Sequence, residues 1–317
     1  MAGWGIARRL SAIDVLTMAF VAQLAAGTIA RSAQIPEWTT VVLVCAVVAG
    51  IVPFLGWLRT HLDLGAVRLV HDWSFAITVY PLYLAVLLVA GPNQSGRGYD
   101  AWLIAADRWI FGTDPTVWLA RFAHPIVTEL LQLSYALFYL LPLAVAMELY
   151  VGGREGRFRR WVFVCGCGFF LAFAGYLIVP AVGPRFTLHE PGALARELPG
   201  LWLTPSLRAL IDGGGMVPVG AAAAEVMRLA PRDAFPSGHA LVTILAIFWA
   251  WRYRLGVRWA VTVIGGLLIL ATVYLRYHYV VDVLAGAVLA VLCLALGPLV
   301  HGWLARELGT IDAERRL

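Results

Sequence analysis

The sequence predicts an all-α fold: a polytopic membrane bundle of about eight transmembrane helices. Hydrophobic residues make up 61% of the 317-residue chain and charged residues only 14%, against about a quarter charged in soluble domains. Mean hydropathy is +0.80. Apolar windows of about twenty residues, the length that crosses a bilayer core, recur evenly along the chain.

Taken in order, these windows place spans near 13–30, 39–58, 73–91, 126–151, 160–182, 236–253, 258–276 and 279–303. The first follows a basic start, "MAGWGIARRLSAIDVLTMAF", with no small-residue cleavage site before Arg31, and so reads as a helix that stays attached. The Arg-dense loops "GGREGRFRR" (152–160) and "RYRLGVR" (252–258) belong on the cytoplasmic side. An even number of spans puts Arg8, Arg9, Arg59, Arg68, Arg306, Arg315 and Arg316 on that side too. The expectation is a multi-pass cell-membrane protein with both termini cytoplasmic.

Two segments then fall outside. Residues 98–125 carry Trp- and Phe-rich apolar faces and too many charges to cross, which suits helices lying in the interface. Residues 183–235 form a long, weakly periodic stretch expected to cap a site and to contain short helices. The resulting organisation is an N-terminal membrane region (1–97), a catalytic membrane region (98–304) and a cytoplasmic tail (305–317).

The formal charge of +5 comes entirely from arginine, which sits in short loops between apolar runs, so no nucleic-acid partner is expected. Cys45, Cys165, Cys167 and Cys293 all lie within apolar runs and read as small packing residues. Cys165 and Cys167 sit on diverging helix faces, and nothing resembles a divalent-ion cage, so neither metal nor cofactor is expected.

The polar clusters are what the bilayer does not explain. A titratable group at membrane depth costs at least a few kcal/mol unless paired or wetted, which makes it a functional-site hypothesis. The fifth span ends in "VPAVGPRF", the sixth begins in "FPSGHA" and the eighth begins in "RYHYVVD", all on the extracytoplasmic face. In "PSGHA", Pro236 suits a first helical turn and Gly238 lets backbone approach a ligand, so that free N–H groups and Ser237 form an anion cradle. His239 projects from the same turn. His278 and Asp282, spaced i, i+4, share a helix face, where the carboxylate can fix the imidazole tautomer and support the cation formed if the other nitrogen attacks an electrophile. Arg185 and Arg276 supply forks for phosphate oxygens.

"PSGH", a helix pair and then "HYVVD" resemble the type 2 phosphatidate phosphatase (PAP2) superfamily, over roughly residues 98–300. The resemblance implies His278 as nucleophile on phosphorus, Asp282 as its orienting group and His239 as general acid. The usual first motif, Lys-x6-Arg-Pro, is reduced to "GPRF", with Ile178 at the Lys position and Phe186 at the Pro position. Thr272 stands where the third motif places Arg, leaving Arg276 as the nearest guanidinium. With "DRWIFGTDP" and "LSYALFYLLPL" upstream, this pattern looks more like the branch containing inositol-phosphorylceramide synthases and their bacterial relatives.

The resemblance implies a lipid phosphatase acting on a phosphomonoester or diphosphate, of phosphatidate or polyprenyl phosphate type, through a phosphohistidine. Two alternatives stand beside it: a phosphotransferase delivering a phospho-headgroup to a lipid or polyol hydroxyl, and a lipid-binding transporter without turnover. Second readings also stand for single residues. Arg276 fits a snorkelling interfacial residue as well as a ligand, and Glu129, near His124, fits either pairing with an arginine or facing the pocket. His189 and Glu190 fit headgroup selection or a solvated loop. Glu148 reads as interfacial, and Asp14 is an acidic residue near a span end without an assigned role.

Overall fold

The computed structural model describes residues 10–91, 98–190, 193–217 and 223–309, and it is helical throughout, with no strand among the described residues. Arg8, Arg9, Arg315 and Arg316 lie outside them. In chain order the helices are α1 (Ala12–Ala30), α2 (Trp38–His61), α3 (Gly65–Asp72), α4 (Ser74–Ala90), α5 (Tyr99–Phe111), α6 (Pro115–Leu119), α7 (Pro125–Ala136) and α8 (Leu140–Val151). They continue as α9 (Glu155–Ile178), α10 (Pro184–Thr187), α11 (Leu194–Glu197), α12 (Thr204–Gly214), α13 (Ala223–Leu229), α14 (Gly238–Arg252), α15 (Arg258–Tyr274) and α16 (Val280–Glu307).

Every expected span falls on helix. Five stretches, α1, α2, Gly65–Ala90, α9 and α16, are long and apolar enough to cross a membrane, or six if the bent pair α7–α8 counts as one span. This is a membrane protein of the polytopic helical kind. α14 and α15 are apolar but shorter, at 15 and 17 residues.

The window at 126–151 was expected to be continuous, and instead it bends by 49° between α7 and α8. Pro142 explains the break. It has no N–H to give to the carbonyl of Phe138, and its ring clashes with that carbonyl in a regular helix. Tighter bonds bridge the gap, from Phe138 N–H to Tyr135 O at 3.2 Å and from Leu140 N–H to Leu137 O at 2.9 Å.

The chain divides into two compact units. One comprises Met1–Val89, Leu149–Phe170 and Leu292–Leu317, and the other Ala90–Glu148 and Leu171–Val291. In the first, Ser11 and Asp14 form a capping box at the start of α1. Asp14 also takes a 3.1 Å contact from Nε2 of buried His71. Arg59 Nη1 donates to His71 Nδ1 at 3.1 Å and to Asp72 at 3.0 Å, so the imidazole proton sits on Nε2, facing Asp14. That network gives Asp14 a structural partner.

In the second unit, α5 reverses the usual sense of an interfacial helix. Trp102 and Trp109 are 76% and 86% exposed, while Asp100 and Asp107 are buried. Seven residues apart, the two acids share the inward face. Glu148 accepts from Gly256 N–H at 2.6 Å and Val257 N–H at 3.0 Å, tying down the loop between α14 and α15. The 183–235 stretch contains α10 to α13.

Candidate active site

All seven candidate residues belong to the second unit, and main-chain hydrogen bonds gather the segments that carry them. Ala234 N–H donates to Ala181 O at 3.0 Å, Ser237 N–H to Asp282 O at 2.9 Å and Arg185 N–H to Arg276 O at 2.8 Å. Those three bonds hold "GPRF", "FPSGHA" and "RYHYVVD" at one place.

His239 sits in the first turn of α14. Ser237 is the N-cap, fully buried, and its hydroxyl accepts from Ala240 N–H at 3.2 Å. Gly238 has a packing reason. A Cβ there would run into the Tyr176 hydroxyl and meet Ala172 Cβ at 3.3 Å, so the turn must lie flat on α9. The His239 ring is gripped by aromatic faces: Tyr135 stacks on it at 4.5 Å and 22°, and Phe138 lies at 4.2 Å and 42°. Both rings come from the bend made by Pro142. Among the described residues no hydrogen bond engages the imidazole.

His278 is reached through the end of α15. Arg276 N–H donates to Val273 O and Tyr277 N–H to Thr272 O, both at 3.0 Å, the Schellman pattern. The left-handed position of that motif is held by Arg276, at φ +70, where glycine is the usual residue. His278 Nδ1 then lies 2.8 Å from the carbonyl oxygen of Ala234. A carbonyl can only accept, so Nδ1 carries the proton and Nε2 the lone pair. Asp282 Oδ2 is 3.5 Å from the same nitrogen. Its hydrogen bond goes instead to Tyr279 N–H, at 2.9 Å. Ala234 therefore sets the tautomer, and the buried Asp282 carboxyl stands beside the ring.

The two imidazole centroids are 5.6 Å apart, at 59°. One tetrahedral anion can touch both.

Both candidate arginines are held by carboxylates. Arg185 forks Asp212 through Nη1 at 2.6 Å and Nη2 at 3.0 Å, and its guanidinium lies 5.7 Å from the Tyr277 ring centroid. Arg276, 1% exposed, bonds Glu197 through Nη1 at 2.5 Å, and its Nε has no partner among the described residues. Its hydrogen bond to Glu197 holds that carboxyl below the usual glutamate range.

A family model described as the PAP2 superfamily matches residues 101–296. The chain belongs to the PAP2 superfamily. It is also similar to a PA-phosphatase related-family protein of Dictyostelium discoideum, with 27% identity over 196 residues. That alignment covers 56% of this chain and 33% of the relative, so the chain matches about a third of that protein's length. No solved structure matches it. PAP2 membership marks a phosphatase-type enzyme in general terms.

In this PAP2 chain several residues that the sequence reading passed over hold the site. Asp107 accepts from Val280 N–H at 2.9 Å and Val281 N–H at 2.8 Å, so with Asp282 it takes up the leading amides of α16. Burial raises the Asp107 carboxyl above the usual aspartate range, even as these amide bonds pull it down. Asp100 accepts from Gly183 N–H at 2.9 Å, Val182 N–H at 3.2 Å and the Tyr279 hydroxyl at 3.0 Å. Their only sequence signal was the seven-residue spacing on α5.

Glu129 does not pair with an arginine. It takes the backbone N–H groups of residues 201–204. His124 N-caps α7 through Nδ1. His189 meets Thr116 at 3.1 Å and is pushed down to about 4 by burial and the nearby Arg276 charge, while Glu190 pairs with Arg196 at 3.1 Å. Arg185, Arg276, His189 and Glu190 line a small, partly open pocket.

Proposed function

We propose that this chain transfers a phosphoryl group from a membrane lipid phosphate, a phosphomonoester or diphosphate, to water through a phosphohistidine. The observation that carries this reading is the pair of imidazoles 5.6 Å apart with the His278 tautomer set by Ala234. His278 Nε2 attacks phosphorus in line, the N–P bond forms and the bond to the lipid oxygen breaks. His239, protonated, gives its proton to the leaving oxygen. Positive charge arising on the His278 ring is balanced by Asp282, while Arg185 and Arg276 hold the non-bridging oxygens; the Ser237 N–H expected to join them is spent on Asp282 O instead. Water then attacks phosphorus, His239 takes its proton, the P–N bond breaks and inorganic phosphate leaves. Under the positive-inside assignment this happens at the extracytoplasmic face, with residues 98–304 as the catalytic region.

The test is to purify the full chain, feed it a panel of lipid phosphates and diphosphates, and identify each product by mass. Free phosphate is expected, and His278→Ala should abolish its release while circular dichroism stays helical. Near-normal release by His278→Ala would rule this mechanism out.

A second reading is a transferase with a lipid or polyol hydroxyl as acceptor. It is favoured by the pairing of both guanidiniums, Arg185 with Asp212 and Arg276 with Glu197. That pairing lowers the net positive charge offered to a dianionic monoester and suits a monoanionic diester donor. A new phosphodiester in place of free phosphate would select it. Binding of a lipid headgroup with no product of either kind would select a transporter.

A further inference from the structure

Helix α12, inside the 183–235 stretch, is fixed at three successive turns. At its start the Glu129 carboxylate accepts from Leu201 N–H at 2.8 Å, Trp202 N–H at 3.1 Å, Leu203 N–H at 2.5 Å and Thr204 N–H at 3.1 Å, and from the Thr204 hydroxyl at 2.5 Å. One turn on, Arg208 Nε reaches Gln132 Oε1 at 3.3 Å and Nη2 reaches Leu198 O at 2.7 Å. Glu129 and Gln132 are three residues apart on α7, so one face of α7 holds α12 twice. A further turn along, Asp212 forks Arg185.

That fork uses only the two terminal nitrogens of Arg185. No described residue takes Nε, so the Nε edge of the guanidinium remains for a second bidentate partner, and a phosphate has the right geometry for it. Arg185 is otherwise located by its main-chain bond to Arg276 and by the Phe186 and Tyr277 rings at 5.3 and 5.7 Å. Tyr277 in turn stacks on Tyr135 at 4.4 Å, and Tyr135 on His239. The guanidinium is thus indexed to the catalytic rings from one side and to α12 from the other.

We infer that Asp212 is a positioning residue, and that with Glu129 setting α12 it aims the free edge of Arg185 at the substrate phosphate. This rests on the phosphoryl-transfer reading and gives the 183–235 stretch a part in it. A charge that is misaimed by an ångström loses much of its value to a bound anion.

The experiment uses the full chain in lipid nanodiscs and orthovanadate as the probe, with affinity read by calorimetry so that no turnover is needed. Asp212→Asn should weaken vanadate binding about tenfold, Asp212→Glu less, and KM for the lipid phosphate should rise more than kcat falls. In an Arg185→Lys background Asp212→Asn should add little further loss, because the effect passes through the fork. Unchanged or tighter vanadate binding by Asp212→Asn, or full additivity with Arg185→Lys, would overturn the inference. Should Asp212→Asn not fold, Glu129→Gln is read the same way, with weaker vanadate binding expected and an unchanged affinity counting against it. A wild-type chain that neither binds vanadate nor turns over would instead defeat the phosphoryl-transfer reading itself.

Discussion

His278 Nδ1 points its proton at the carbonyl oxygen of Ala234, 2.8 Å away, while the Asp282 carboxylate lies farther off at 3.5 Å. The backbone thus does what a triad carboxylate ordinarily does for its histidine, and the acid is left beside the ring, accepting from Tyr279 N–H at 2.9 Å.

Asp282→Asn tests that division of roles. Where a carboxylate alone holds the tautomer, the amide replacement costs about 10⁴-fold in rate. Here the imidazole keeps its Ala234 bond, and the Asn oxygen can still accept from Tyr279 N–H. The expected loss in kcat is nearer a hundredfold, as for removal of one electrostatic stabiliser. Rates in purified enzyme decide it, and a 10⁴-fold loss would return the tautomer to Asp282.

His239 as the acid makes a prediction about leaving groups. The proton matters most when the departing oxygen is a strong base, so His239→Asn should cost about 10²- to 10³-fold with an alkyl ester and far less with a nitrophenyl ester. The proposed mechanism needs one imidazole neutral and the other protonated, so the wild-type rate passes through a maximum in pH whose two limbs belong to the pair. That maximum should be lost in His239→Asn, and equal losses with both esters would remove the acid role.

Arg276 occupies a backbone position built for glycine. At φ +70 any residue with a Cβ carries about 1 kcal/mol of strain. Arg276→Gly should therefore melt higher than Arg276→Ala, by the few degrees that 1 kcal/mol represents. Both lose the Glu197 bond equally, and Glu197, 37% exposed on its side chain, can turn to water. Equal melting temperatures would mean the turn relaxes when the arginine goes. Equal activity loss in both would assign that loss to the guanidinium.

The bundle was readable because lipid forces long apolar runs, and the runs survive as helices, the one at 126–151 broken by a 49° bend. His239, His278 and Asp282 were readable for a different reason. Their order and spacing stand out in the sequence, and the fold brings them together. What the sequence hid are partners that lie far away along the chain and near in space. Nothing local marks Asp212 as the mate of Arg185, or Ala234 as the mate of His278. Tyr135 and Phe138 lie in an apolar run with no local mark of a role, and the structure sets both rings against His239 beside the bend at Pro142. Asp100 and Asp107 sat in a segment whose charges suggested a watery interface, while the structure buries both.

The acids at the head of α16 have one more effect. A helix beginning normally draws anions, but here Asp107 and Asp282 already occupy it, so the amides of residues 279–281 are spent on the protein's own carboxylates and none of the three remains for a ligand.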